Sequence, residues 1–189
     1  MKRPAAAATV LLVAALALAG CSDRILNLYP LQVGNQWIFK TTYPDTDQER
    51  EDTELVVRRS DSTYHLSNGD TLIHYRNHGI INKNGVYILR FPLEKGYAWM
   101  DQGFSLEITS VTKTVRVPAG EFEECVEVTW HHESGGKRFV SVSTYAPGVG
   151  PVLYEYYGLA DGGGKTLLLK SELKRYRLGG TDGQVRGSP

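Results

Sequence analysis

Along most of the chain, apolar and polar residues alternate one for one, in short runs. Such runs stand at "WIFKTTY" (37–43), "ELVVRRS" (54–60), "TYHLS" (63–67), "TLIHYRN" (71–77), "GVYILRF" (85–91) and "FSLEITSV" (104–111). They continue at "KTVRVP" (113–118), "CVEVTWHHE" (125–133), "RFVSVSTYA" (138–146), "VLYEYYG" (152–158) and "TLLLKSELKRYRL" (166–178). A period of two marks a half-buried strand, because successive side chains point to opposite faces. In "CVEVTWHHE" it puts Val126, Val128 and Trp130 on one face and Glu127, Thr129 and His131 on the other. Between the runs lie "SNGD", "NKNG", "ESGGK" and "DGGGK", whose Asn and Gly supply the positive φ of tight hairpins. No stretch after the N-terminus keeps a 3.6 period. The nearest, "LLLKSELKRYRL", follows a Gly-rich hairpin signal and reads as a long strand in preference to a helix. The pattern predicts an all-β, mainly antiparallel domain of about ten short strands, as a single curved sheet, half-barrel, barrel or sandwich.

One element occurs twice. "YPLQVGNQW" (29–37) returns as "FPLEKGYAW" (91–99), with Pro30, Leu31, Gly34 and Trp37 in register with Pro92, Leu93, Gly96 and Trp99. The residues that follow do not match, so whole-domain duplication is unsupported. Pro ends one extension, Gly allows a turn and Trp anchors the next strand in the core. The repeat reads as two strand starts.

The N-terminus has a different pattern. "MKRPAAAATVLLVAALALAGCS" has a basic head (Lys2, Arg3), an apolar run from Ala5 to Ala19 and a small-residue exit, the layout of a secretory signal peptide. The run falls short of the roughly 20 residues of a spanning helix. Leu18-Ala19-Gly20-Cys21 resembles the bacterial lipobox, which implies cleavage between Gly20 and Cys21 and acylation of Cys21 with fatty chains such as palmitate. Three chains on one residue give stable anchoring, whereas one binds marginally. Ser22, not Asp, follows the Cys, which resembles the address of outer-membrane lipoproteins. The expected organisation is a cleaved signal peptide (1–20), a loose lipidated tether (21–28), one β-rich domain (29–178) and a flexible tail (179–189). The expected location is the cell envelope, lipid-anchored on the periplasmic face of the outer membrane.

Composition adds little beyond this. The 189 residues are 41% hydrophobic and 22% charged, which suits one domain, and eleven Tyr with three Trp favour strands. Basic and acidic residues number 21 each, with no basic run to follow a phosphate backbone, so nucleic acid is not an expected partner. Loss of Lys2 and Arg3 leaves 19 basic residues against 21 acidic. With Cys21 acylated, Cys125 stands alone and no intrachain disulfide can form.

Candidate chemistry is sparse. His131 and His132 are adjacent and point to opposite faces of a strand; a turn separates His74 from His78; His65 is isolated. These read as solvated strand histidines, with no metal site and no cofactor beyond the covalent lipid on Cys21. Cys125 sits among Glu123, Glu124 and Glu127, whose charge raises a thiol pKa, so it reads as structural. "Ser141-Val142-Ser143" lacks the glycines of a nucleophile elbow, and "LADGGGKT" has Leu159 where a phosphate loop needs Gly. The spread of aromatics leaves one opening: Trp37, Trp99 and Trp130 are candidate ligand-lining residues if they converge on a cavity.

"VTKTVRVPAGEFEECVEVTW" (111–130) and "STYAPGVGPVLYEYYG" (143–158), with the repeated element and the lipobox, resemble a group of uncharacterised bacterial lipoproteins. The group's V-x-V-P-A-G-x-F-x-x-C-x-x-V segment matches at Val115, Val117, Pro118, Ala119, Gly120, Phe122, Cys125 and Val128, and its Y-A-P-G-V-G at Tyr145 to Gly150. Pro151 departs from the group's usual apolar residue. The resemblance implies an exported, lipid-anchored β-rich domain and carries no catalytic residue. The leading expectation is a non-enzymatic interaction or envelope-assembly component, bound to the membrane through its lipid and to an envelope protein partner. The alternative is a carrier or sensor of a hydrophobic small ligand in a curved-sheet cavity; a second is a metal-dependent or hydrolytic enzyme.

Overall fold

The computed structural model, which describes residues 21–75 and 78–179, has twelve strands, ten of them formed by the alternating runs. A short helix, α1 (Cys21–Leu28), comes first. Then follow β1 (Gln36–Tyr43), β2 (Gln48–Ser60), β3 (Thr63–Leu66), β4 (Thr71–Tyr75), β5 (Gly79–Asn82) and β6 (Tyr87–Arg90). The second half holds β7 (Ala98–Asp101), β8 (Phe104–Val117), β9 (Gly120–Ser134), β10 (Lys137–Ala146), β11 (Gly150–Leu159) and β12 (Lys165–Arg177). Each strand pairs antiparallel with its neighbour in sequence except across β6 and β7, and β12 pairs with β1. The chain is thus one meander rolled into a nearly closed barrel. The all-β antiparallel expectation holds, and residues 166–178 are indeed strand.

The free edges β6 and β7 are held together by side chains. Asp101 Oδ2 accepts a hydrogen bond from Tyr87 N at 2.9 Å, and Trp99 Nε1 donates to the Tyr87 carbonyl at 3.3 Å. Edge strands with unpaired backbone groups are sites of misassociation, and these bonds occupy part of that edge.

The repeated element performs one operation at two places. In the first copy Gly34 N donates to Val56 O (2.9 Å), Val56 N donates to Asn35 O (2.9 Å) and Asn35 N closes a turn on Gln32 O (3.0 Å). In the second, Gly96 N donates to Ile108 O (2.7 Å), Ile108 N to Tyr97 O (2.9 Å) and Tyr97 N to Glu94 O (3.0 Å). Gly34 and Gly96 have φ of 93° and 87°, a conformation open to glycine at no steric cost. Leu31, Trp37, Leu93 and Trp99 are all buried. The first copy starts β1, which zips to the last strand; the second starts β7, at the β6–β7 seam. Both copies therefore stand where the barrel is closed.

Residues 21–28 correct the sequence reading. In place of a loose tether they form α1, with Ile25 fully buried and Leu28 nearly so. Eight residues carry only one apolar stripe, too short for a visible period, and so short a helix depends on tertiary contacts. Gly148 N, in the β10–β11 turn, donates to the Asn27 carbonyl at 2.7 Å and satisfies one of its terminal acceptors. The same turn receives Trp37, whose Nε1 donates to the Val149 carbonyl at 2.6 Å. Gly150 has φ 110°, and a Cβ there would lie 2.9 Å from Trp37 Nε1. The Y-A-P-G-V-G stretch is therefore a receptor for the first strand's Trp and for α1. The sequence-expected signal peptide (1–20) and all but the first residue of the tail lie outside the described residues; Gly179 N donates to Asn35 Oδ1 at 2.6 Å.

Replacing Gly150 with Ala should lower stability by roughly 3 kcal/mol, the cost of a backbone conflict plus a core clash. Gly163→Ala, with φ 83° but nothing near its Cβ, should lose only about 1–2 kcal/mol. Urea denaturation of the two variants checks the difference; equal losses would show that Trp37 yields to the added methyl.

Candidate functional site

Twelve strands enclose more space than side chains fill, since a barrel of about eight is already wide enough for a packed interior. The identity of the inward residues decides whether the surplus becomes core or cavity. On β1 and β2 the cross-strand pairs running up the inner wall are Trp37–Glu54, Phe39–Asp52 and Thr41–Arg50. Around the wall at the Thr41 level, Ser171 pairs with Thr41 and with Tyr154, and Tyr154 pairs with Ser143. Thr41, Ser143 and Ser171 are small, so the level stays open, while Trp37 and Leu173 below it are fully buried and fill the barrel. The open part is a cavity of about 640 Å³.

At its mouth, the β3–β4 and β5–β6 turns contribute Asn68, Asp70, Lys83 and Asn84. Charges here are already matched. Asp70 pairs with Lys83 at 2.5 Å, and Asp52 pairs with Arg50 Nε at 2.9 Å while accepting from the Thr41 hydroxyl at 2.6 Å. Thr41 also shares a hydrogen bond with Ser171 at 2.9 Å, and Tyr154 donates to Ser141 at 3.2 Å.

The floor is different. Tyr29 packs edge-on against Trp37 (centroids 5.4 Å apart) and tilted against Tyr145 (6.0 Å). Its hydroxyl donates to Glu54 Oε2 at 3.1 Å. Among the described residues Glu54 has no cationic partner. Barrel walls surround it, and its remaining exposure is to the cavity that it lines. Burial pushes its pKa up to about 7, the nearby Asp70 and Asp52 charges add to the rise, and the Tyr29 hydrogen bond opposes it. Burial likewise holds the Tyr145 hydroxyl well above the usual phenol range.

Of the three tryptophans singled out from sequence, only Trp130 lines this cavity, braced edge-on by Phe104 with centroids 6.0 Å apart. Trp37 and Trp99 are buried outside the lining, each with its indole N–H on a backbone carbonyl, and the three do not converge. Glu54, Tyr29, Asp52, Thr41, Ser143 and Ser171 were not legible as site residues. A signal existed for β2: Arg50, Asp52 and Glu54 recur at period two inside "QEREDTE", but a strand with a polar inner face does not look like a strand. The predicted strand accordingly starts at 54, where the structure starts it at Gln48.

The remaining candidates fall elsewhere. Among the described residues no three His, Cys, Asp or Glu converge to hold a metal. His132 is not simply solvated: it lies nearly parallel to Phe139 and Tyr156, with centroids 5.4 and 5.9 Å away, and burial lowers its pKa. Cys125 is fully buried beside a bulge where Glu124 has φ 52°, and burial raises its thiol to about 11. "LADGGGKT" makes the β11–β12 turn, with Ala160 N donating to Gly164 O at 2.9 Å.

Two outcomes are expected. A carboxyl with a folded pKa above its unfolded value destabilises the fold as it ionises, so the cost is absent below about pH 4.5 and complete above about pH 7. Glu54→Gln should therefore raise stability at pH 8, by on the order of 1–3 kcal/mol, and leave it nearly unchanged at pH 4.5. Thermal melts at the two pH values test this. Cys125, as a buried neutral thiol, should react with a thiol reagent such as dithionitrobenzoate only after denaturant is added.

No family model matches the chain, and no curated protein does. Among solved structures, a Bacteroides fragilis protein described as exported, with a YmcC-like fold, is 15% identical with a TM-score of 0.44, covering 78% of this chain and 97% of its own. A Parabacteroides distasonis protein described as a lipoprotein is 15% identical with a TM-score of 0.47, covering 79% of this chain and 98% of its own.

Proposed function

We propose that the protein is a lipid-anchored component of the cell envelope, on the periplasmic face of the outer membrane, that binds a small molecule in its barrel without transforming it. The anchoring half of this reading rests on the signal-like N-terminus and the Leu-Ala-Gly-Cys sequence at 18–21. α1 begins at that Cys, and Ile25, four residues on, is in the core. A lipid on Cys21 would then hold the barrel against the bilayer. The outer wall at β1, β2 and β12 suits water rather than lipid: Lys40 pairs with Glu49 at 2.6 Å, Lys170 with Glu172 at 2.8 Å, and Lys174 with Glu51.

The binding half rests on one observation, the cavity of about 640 Å³. That volume lies in the range of small-molecule sites, roughly 300–1,000 Å³. Binding is favoured over catalysis because the polar groups of the mouth and of the Thr41 level are committed to one another, and Glu54 stands apart from them on the Tyr29 hydroxyl. Asp52, the carboxylate nearest a hydroxyl, already receives Thr41 and Arg50 and is poorly placed to take a proton from a substrate.

Cys21→Ala should move the protein from the membrane fraction to the soluble periplasmic fraction; persistence in membranes would contradict the anchor. For the cavity, solvent extracts of the purified lipidated protein and of a Ser143→Leu/Ser171→Leu variant can be compared by mass spectrometry. A small molecule present with the wild type and depleted from the filled barrel is the expected result. Recovery of one protein partner with both forms, and of no small molecule with either, would favour the envelope-assembly reading instead.

A further inference from the structure

Resting on that cavity reading, we infer that the ligand is an amphipathic amine whose ammonium group sits against Glu54 and whose apolar body lies along the barrel wall. The argument starts from the charges facing the cavity. Asp52, Glu54 and Asp70 are acidic, and Arg50 and Lys83 are basic. The two bases are held at the mouth by Asp52 and Asp70, each within ion-pair distance. The uncompensated charge is thus placed at the floor, on Glu54, which accepts only the Tyr29 hydroxyl.

Each class of ligand meets this arrangement differently. An anion would have to pass the paired mouth and come to rest on a carboxylate. A neutral ligand would cover Glu54 and leave it either charged without a partner or obliged to take up a proton, a cost that grows above about pH 7. An ammonium group supplies the missing charge and donates to the free acceptor positions of the carboxylate. Tyr29 and Tyr145, packed together beside Glu54, line the same end of the cavity. Above them Phe39, Leu72, Ile88 and Trp130 offer the apolar surface for the body of the molecule.

Protonation then couples to binding. The titratable groups facing Glu54 are Tyr29 before β1, Asp52 on β2, Asp70 in the β3–β4 turn and Tyr145 on β10. An amine that binds the ionised carboxylate must expel a proton from it below about pH 7, so affinity weakens as the pH falls through that range.

A matched probe series tests the inference on the full lipidated chain: 4-phenylbutylamine, its neutral analogue 4-phenylbutanol and the anion 4-phenylbutyrate, by calorimetry at pH 8 and pH 5.5. The amine should bind at least about tenfold more tightly than the alcohol at pH 8, the scale of a charge-assisted hydrogen bond. The preference should shrink severalfold at pH 5.5 and vanish in Glu54→Gln, whose fold is checked by its cooperative melt. Equal binding of amine and alcohol, or a preference that survives Glu54→Gln, overturns the ammonium site but leaves the cavity standing. Failure of all three probes to bind at millimolar concentration overturns the cavity reading itself.

Discussion

The indole of Trp37 against the backbone of Gly150 is the contact on which the rest of the barrel depends. It joins residues 112 apart in sequence through a buried hydrogen bond to the Val149 carbonyl. No side chain at position 150 could occupy the space between strand and ring. From that point the order spreads outward. Tyr29 packs on the ring and reaches Glu54, and the Asn27 carbonyl of α1 is held by the same β10–β11 turn. The closure of β1 on β12 begins at the same place, with Trp37 opposite Tyr176. One contact therefore sets barrel closure, helix docking and the floor of the cavity.

A packed floor and an open upper level follow from the sizes of the inward residues. Large side chains at Trp37 and Leu173 close the barrel below; Thr41, Ser143 and Ser171, at the level above Leu173, leave it open. The open level admits polar groups because they can meet water or one another there. Only at Glu54, the deepest of the three acidic positions on the wall and turns, is a charge kept close to the packed floor without a basic partner. That placement costs stability, and groups retained at such a cost are often those that contact a ligand.

The sequence pattern reports burial against an apolar core, and it was legible where such a core exists. β9 shows this: Val126, Val128 and Trp130 face inward as their alternation requires. β2 shows the opposite. Its first half pairs with β1 through eight residues, yet its inner face is Arg50, Asp52 and Glu54, so hydropathy alternation gives no sign of it. β5 was missed because its Gly-Ile-Ile-Asn does not alternate, β7 was read only as a strand start at Trp99, and α1 was missed because eight residues carry a single apolar stripe. β8 runs unbroken through what reads as two strands, because bulges between Ile108 and Val115 reset the alternation without ending the ladder.

The sequence by itself determined the strand content, the antiparallel hairpin order and the two Pro-Leu-x-x-Gly-x-x-Trp strand starts, because these depend on local φ preferences and on period-two burial. It also supplied the N-terminal pattern on which the proposed anchor rests. Only the tertiary structure decided that the sheet rolls into a barrel, that α1 packs in place of a free tether, and that Glu54 lies at the floor of a cavity. Those facts depend on contacts between residues far apart in the chain, such as Trp37 with Val149, and on the small side chains that three separate strands bring to one level.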